Sequence, residues 1–370
     1  MNDWKIIMEK KRQSNIELLR IISMILILAH HFSLHGGFEV LESSLSLNRF
    51  WIQFLQLGGK IGVDIFIIIS GFFLIYSQKI KLSKVLKLWF QLFFYSVLIY
   101  IIFILTGVET ISMSGIIKNI FPVIFTRWWF ASTYFVLYLL SPYLNKLLIS
   151  LSKIEYQKLL IVLTFFWCII PTFTAANFQS NVLIWFIYLY TLAGYIRIYG
   201  ILKYLSNKWL IIVAIVSYLA TYLSAVIFDI LGTKIFIFST HSTYFFGMQK
   251  LPILMISVFI FLIFLRVNIG SIKLINIISS ATFGVYLIHD NEYVREFLWH
   301  TLFKNTSHAT SNNLISYSIL VIILVYIACT IIELLRIYLI EKNYMLCVNN
   351  ISVKIEEKIN NLIEVVCNKL

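Results

Sequence analysis

The feature that most constrains this chain is a succession of ten apolar runs, each close to 20 residues long, parted by short polar or basic segments. An α-helix needs about 20 apolar residues to cross ~30 Å of hydrocarbon. In lipid each backbone N–H and C=O must be satisfied within the spanning structure, which leaves helices for runs of this length. The runs fall near 16–35, 58–77, 86–106, 128–148, 159–176, 181–199, 209–231, 250–267, 274–290 and 315–339. The fold class expected is therefore all-α: a multi-pass membrane protein of about ten transmembrane helices. The composition agrees, with 60% hydrophobic and 13% charged residues against about 25% charged in soluble domains. Cys168, Cys329, Cys347 and Cys367 are scattered with no CxxC spacing, so neither disulfides nor zinc is expected.

A net charge of +13 would suggest nucleic acid as the partner of a soluble domain. Here the positive charges read as topology, and no nucleic-acid partner is expected. Lys and Arg gather in alternate segments: Lys5 to Arg12, Lys79 to Lys87, Lys146 to Lys158, Arg197 to Lys208, Arg266 to Lys273, and Arg336 onward. The intervening segments carry only Arg49, Lys60, Lys118, Arg127, Lys234, Lys250, Arg295 and Lys304. This places both termini in the cytoplasm. No small-residue cleavage site follows Lys10, Lys11 and Arg12, so no cleaved signal peptide is expected. The chain divides into a cytoplasmic segment at 1–14, a transmembrane domain at 15–340 and a cytoplasmic tail at 341–370. In the tail Ile355, Ile359, Leu362 and Val366 recur at helical spacing, as in an amphipathic helix on the inner leaflet.

Ionisable residues inside apolar spans are costly and mark function. The first span contains Glu17, Arg20, His30, His31 and His35. Arg20 and His31 are eleven residues apart, about three helical turns, so they share a face at a separation of roughly 16 Å. His30 points about 100° away from that stripe and reads as structural. The second span carries Asp64 at a depth comparable to His31, where a carboxylate could orient the imidazole and raise its basicity. Gly58, Gly59, Gly62 and Gly71 read as close helix packing. Lys81, Lys84 and Lys87 form a basic strip after that span, read either as topology or as an anion site. Trp128 and Trp129 open the fourth span as an aromatic belt or as a platform for a sugar. His289 and Asp290 close the ninth, and Glu333 and Arg336 sit near the level of Arg20 in the tenth. There is no HExxH, GxSxG, Walker loop or metal-ligand spacing, so neither a metal nor a resident cofactor is expected.

Four stretches carry a resemblance: NIELLRIISMILILAHHF, GGKIGVDIFIIISGFFLI, WWFASTYFVLYLLSPYLN and SSATFGVYLIHDN. In this order and spacing, over about residues 14–340, the chain resembles the membrane-embedded acyltransferase-3 family, the ten-span group that O-acylates bacterial surface glycans. The resemblance implies that His31 and Arg20 match the family's essential histidine and arginine, and that Glu333 matches the carboxylate of the last span. The Pro-containing motif that follows this Glu in many relatives is missing. Lys84 and Lys87 stand where relatives often carry an Arg-rich strip, and Lys keeps the charge but loses bidentate phosphate binding.

The activity that the resemblance implies is transfer of an acetyl group from cytoplasmic acetyl-CoA to a hydroxyl of a surface polysaccharide or its lipid-linked precursor. The setting is the bacterial plasma membrane. His31 acts as base, or carries the acyl group, with Asp64 as its orienter and Glu333 as a further catalytic carboxylate. Arg20, Lys84 and Lys87 hold the donor, while Trp129, His289 and Asp290 line the approach of the acceptor. The rival reading is a glycan exporter or flippase, for which paired inverted repeats with broken spans would be the sign.

Overall fold

The computed structural model describes residues 13–41 and 45–367. Lys5, Lys10, Lys11, Arg12 and Lys369, which enter the charge pattern, lie outside the described residues, as does most of the segment 1–14. So do the side chains of Ile359, Leu362 and Val366 in the tail stripe.

Every regular element among the described residues is helical. Helix α1 spans Ser14–His35 and α2 spans Leu47–Leu74. They are followed by α3 at Leu82–Leu105, the short α4 at Met113–Ile120 and α5 at Trp129–Ser150. Next come α6 at Lys153–Thr164, which continues through a π turn to Phe173, then α7 at Val182–Tyr199 and α8 at Asn207–Gly232. Then follow α9 at Leu251–Arg266, α10 at Lys273–Ser280, α11 at Thr282–His289, α12 at Leu314–Arg336 and α13 at Lys342–Cys367. Among the described residues, eight helices, counting continuous stacks as one, are long and apolar enough to cross a membrane.

The two remaining expected spans are α5 and the pair α10 and α11. Helix α5 is 22 residues long, but Ser141, Asn145 and Lys146 dilute its apolar character. Asn145 ties it inward: its amide donates to Leu74 O and Ser77 O, each at 2.7 Å, and its oxygen accepts from Tyr190. The ninth span is broken at Ala281, where Thr282 donates to Ser279 O. Helix α2 starts eleven residues before the expected span at 58. Ser46 caps it, and Arg49 in its first turn is neutralised by a bidentate pair with Asp229 of α8, at 2.8 and 2.9 Å.

Helices α1 and α2 form the centre of the bundle. A Cβ on Gly59 would lie 2.2 Å from His30 Cγ, and one on Gly62 would lie 2.5 Å from Ser23 O. The small residues thus let two backbones approach where larger side chains would not fit. Ser14, at the start of α1, meets Gly270, Ile272 and Asn276. His35, at its end, meets Arg295. The bundle therefore has an Arg20 end and a His31 end. The tail is helical as expected, but it continues from α12 through a π turn and packs on α3, where Glu356 accepts from Leu82 N.

Candidate active site

Arg20, Met24, Ile27 and His31 follow one another at spacings of four, three and four, so α1 presents them as one stripe. His31 is buried and lines two cavities. One, of about 310 Å³, is open and polar, walled by His30, His35, Lys60, Arg127, Trp129 and Asp290 among others. The other is a narrow apolar slot of about 30 Å³, formed with Met24, Ile27, Val63, Phe66, Phe130 and Tyr286. Trp129 also borders both, with the Lys60 ammonium 5.2 Å from its ring centroid.

The hydrogen bonds around His31 assign its protons. His289 Nδ1 lies 2.6 Å from Val285 O, a carbonyl that can only accept, so Nδ1 of His289 carries the proton. Its Nε2 is then an acceptor, and the group facing it at 2.9 Å is His31 Nδ1. His31 therefore donates from Nδ1 and keeps its lone pair on Nε2, which has no hydrogen-bond partner among the described residues. Asp290 Oδ1 lies 3.5 Å from the same Nδ1, placed to stabilise an imidazolium. Asp290 Oδ1 in turn lies 3.9 Å from Arg295 Nη1, and that nitrogen donates to His35 Nε2 at 3.1 Å. The end of α11 supplies His289 and Asp290 because the helix stops there: Asn291 caps the next turn by accepting from Tyr293 N.

Asp64 was expected beside His31, and that pairing is not made. Asp64 is fully buried and accepts from Trp185 Nε1 at 3.0 Å on α7, while its other oxygen has no partner among the described residues. The carboxylate at His31 is Asp290, which sequence reasoning had placed with the acceptor. Likewise His289 stands behind His31 instead of in the cavity wall. Trp128 is buried, with only 1% exposure, so it is no lipid-facing belt residue.

Glu333 and Arg336 form an ion pair, bidentate at 2.8 Å for both contacts. Gln91 and Tyr95 of α3 donate to the same carboxylate. Arg336 also donates to Glu341 at 2.6 Å, and Glu341 pairs with Lys87. Arg20 is outside this cluster: it is partly exposed, and its buried Nε has no partner among the described residues. Lys84 is exposed. Sequence reasoning missed Lys60, Arg127 and Arg295 as cavity residues and counted them only as topology charges. The signal for Lys60 was its position one turn before Asp64, and for Arg127 its place directly before the two tryptophans.

His31, His35 and Asp290 offer ligand atoms within 4.8 Å of one another, a set that could hold a metal ion. The Arg295 guanidinium already bridges His35 and Asp290, so a divalent ion there would face a fixed positive charge.

The family model for the acyltransferase domain of the acyltransferase-3 group matches residues 13–334. The chain belongs to that family. No curated protein and no solved structure matches it. As a membrane acyltransferase, the protein has its two cavities meeting at His31 within the matched region, and the helical tail after Arg336 lies beyond it.

Proposed function

We propose that this acyltransferase moves an acetyl group from acetyl-CoA, held at the Arg20 end on the cytoplasmic side, to a hydroxyl of a surface polysaccharide or its lipid-linked precursor at the His31 end. The observation that carries the reading is the lone pair left on His31 Nε2, on a side chain bordering both a narrow apolar slot and a wide polar cavity. The slot is lined by Met24, Ile27 and His31 of the stripe that begins at Arg20, and pantetheine is long enough to cover the roughly 16 Å from Arg20 to His31. Arg20 and exposed Lys84 would hold the phosphates of CoA. Lys87, already paired with Glu341, would add charge there more than free donors.

A sugar hydroxyl is a weak nucleophile at neutral pH and needs a base. His31 Nε2 takes the hydroxyl proton as the oxygen attacks the thioester carbonyl. The C–S bond breaks, and the thiolate leaves with that proton as CoA thiol. Asp290 and His289 steady the imidazolium between these steps. An acyl-His31 intermediate would use the same lone pair. Trp129 and Asp290, in the cavity wall, would meet the acceptor, and Glu333 would hold the α3, α11 and α12 contacts around the slot.

The test is proton NMR of surface polysaccharide from a deletion strain complemented with wild type or His31→Ala. Acetyl methyl signals should vanish in the deletion, return with wild type and stay absent with His31→Ala. Loss of the polymer itself would replace this reading with the exporter. Unchanged acetylation in the deletion would remove the polysaccharide as acceptor.

A further inference from the structure

The polar cavity holds more positive charge than the chemistry at His31 uses. Lys60, Arg127 and Arg295 line it against a single carboxylate, Asp290. Arg295 is accounted for by Asp290 and His35. Arg127 is not. Its side chain is nine-tenths buried, and only Nη1 is satisfied, by half-exposed Glu292 at 2.7 Å. Nε and Nη2 are buried with no hydrogen-bond partner among the described residues. These two nitrogens form one edge of the guanidinium fork, the edge that matches the two oxygens of a carboxylate or phosphate. Burying such donors unpaired is costly unless a ligand completes them.

The backbone holds this arginine in place at some strain. Thr126, immediately before it and itself in the cavity wall, has φ of 48°, in the left-handed region that a β-branched residue rarely adopts. The turn closes through Thr126 N to Val123 O at 3.2 Å and Arg127 N to Pro122 O at 3.0 Å. Strain of this kind persists where position matters to function. The Arg127 guanidinium also lies 5.5 Å from the Tyr293 ring centroid, which fixes its plane from another element.

We propose that the acceptor glycan carries an acidic group, a carboxylate or phosphate, and that Arg127 reads it through Nε and Nη2. Lys60 and Arg295 supply the surrounding positive field. This rests on the acceptor occupying the polar cavity, as argued above, and it adds the chemical class of that acceptor.

The experiment uses membranes carrying the full-length protein, radiolabelled acetyl-CoA, and the strain's own polysaccharide stripped of acyl groups by mild base. That glycan is offered untreated, after reduction of its carboxyl groups, or after phosphatase treatment. One of the two treatments should raise the wild-type KM for glycan about tenfold, the weight of one charge-assisted hydrogen bond, and identifies the acid. Arg127→Gln should raise KM on the untreated glycan by a similar factor and erase the difference between treated and untreated forms. Arg127→Lys should restore part of it, and the KM for acetyl-CoA should stay fixed. Equal wild-type KM for all three glycans would overturn the inference while leaving the acyltransferase reading intact. So would an Arg127→Gln defect confined to acetyl-CoA, which would make the cavity the donor site. Absence of label in any glycan with wild-type membranes would remove both readings.

Discussion

His31 stands at the head of a chain of neighbours, His289, Asp290 and Arg295, and each link predicts a different result on substitution. His31→Ala should lower the rate by about 100- to 10,000-fold, the usual weight of a positioned base. Asp290→Asn keeps the shape of the site but removes the charge 3.5 Å from Nδ1. It should lower kcat roughly tenfold with little change in KM for acetyl-CoA. Asp64→Asn should be nearly neutral for kcat, because an amide oxygen still accepts from Trp185. Asp64→Ala leaves that buried indole N–H unpaired and should cost about 1–3 kcal/mol, read as a lower melting temperature in detergent. Steady-state kinetics and thermal unfolding of the three variants separate the two aspartates. His31 and Arg20 were legible in the sequence because an eleven-residue spacing puts them on one helical face. The partner carboxylate was not. Asp64 and Asp290 are both acids near the same end, and only the packing of α11 against α1 decides which one faces the ring.

Helices were legible wherever apolar length alone decides, as in α1, α3, α8 and α9. The glycine stripe of α2 was also legible, since small residues at Gly58, Gly59 and Gly62 read as close approach, and α1 does approach there. The break at Ala281 was only hinted at by Ser279, Ser280 and Thr282. The early start of α2 was hidden because Arg49 looks like a loop charge until Asp229 is brought beside it from 180 residues away. Close approach makes the glycines sharp probes. A Cβ at Gly284 on α11 would fall 2.2 Å from the Glu333 carboxyl carbon, where α3, α11 and α12 meet. Gly284→Ala should therefore cost about 1–3 kcal/mol by overpacking, and it should disturb α11, which carries His289 and Asp290. Melting temperature and kcat should fall together. Gly107→Ala is the control for stability: its φ of 74° strains the new side chain, but it lies far in sequence from this contact and a Cβ there meets nothing within 4 Å. Its cost should be confined to melting temperature.

At the scale of the whole molecule, one ionic cluster joins the transmembrane domain to its tail. Glu333, Arg336, Glu341 and Lys87 link α12, the π turn after it and α3 at the Arg20 end. A buried pair broken by loss of one partner costs about 3–5 kcal/mol, so Arg336→Met should sharply reduce the folded yield in size-exclusion chromatography. The cluster also fixes which end of the bundle the tail occupies, and the charge pattern predicts the side of the membrane. Basic segments gather at the Arg20 end, so that end should be cytoplasmic, and the His31 end should face out. Two positions test this directly. Cys347 is an exposed free thiol on the tail helix, whereas Cys168 and Cys329 are buried. Thr310 is exposed in the segment between α11 and α12, at the opposite end. In a Cys367→Ser background, an impermeant maleimide should label Cys347 only in inverted vesicles. With Cys347 also replaced by Ser, a cysteine at position 310 should be labelled only in right-side-out vesicles. The reversed pattern would put His31 on the cytoplasmic side. Donor and acceptor would then have to exchange cavities, because the polar cavity proposed for the acceptor would open on the side proposed for acetyl-CoA.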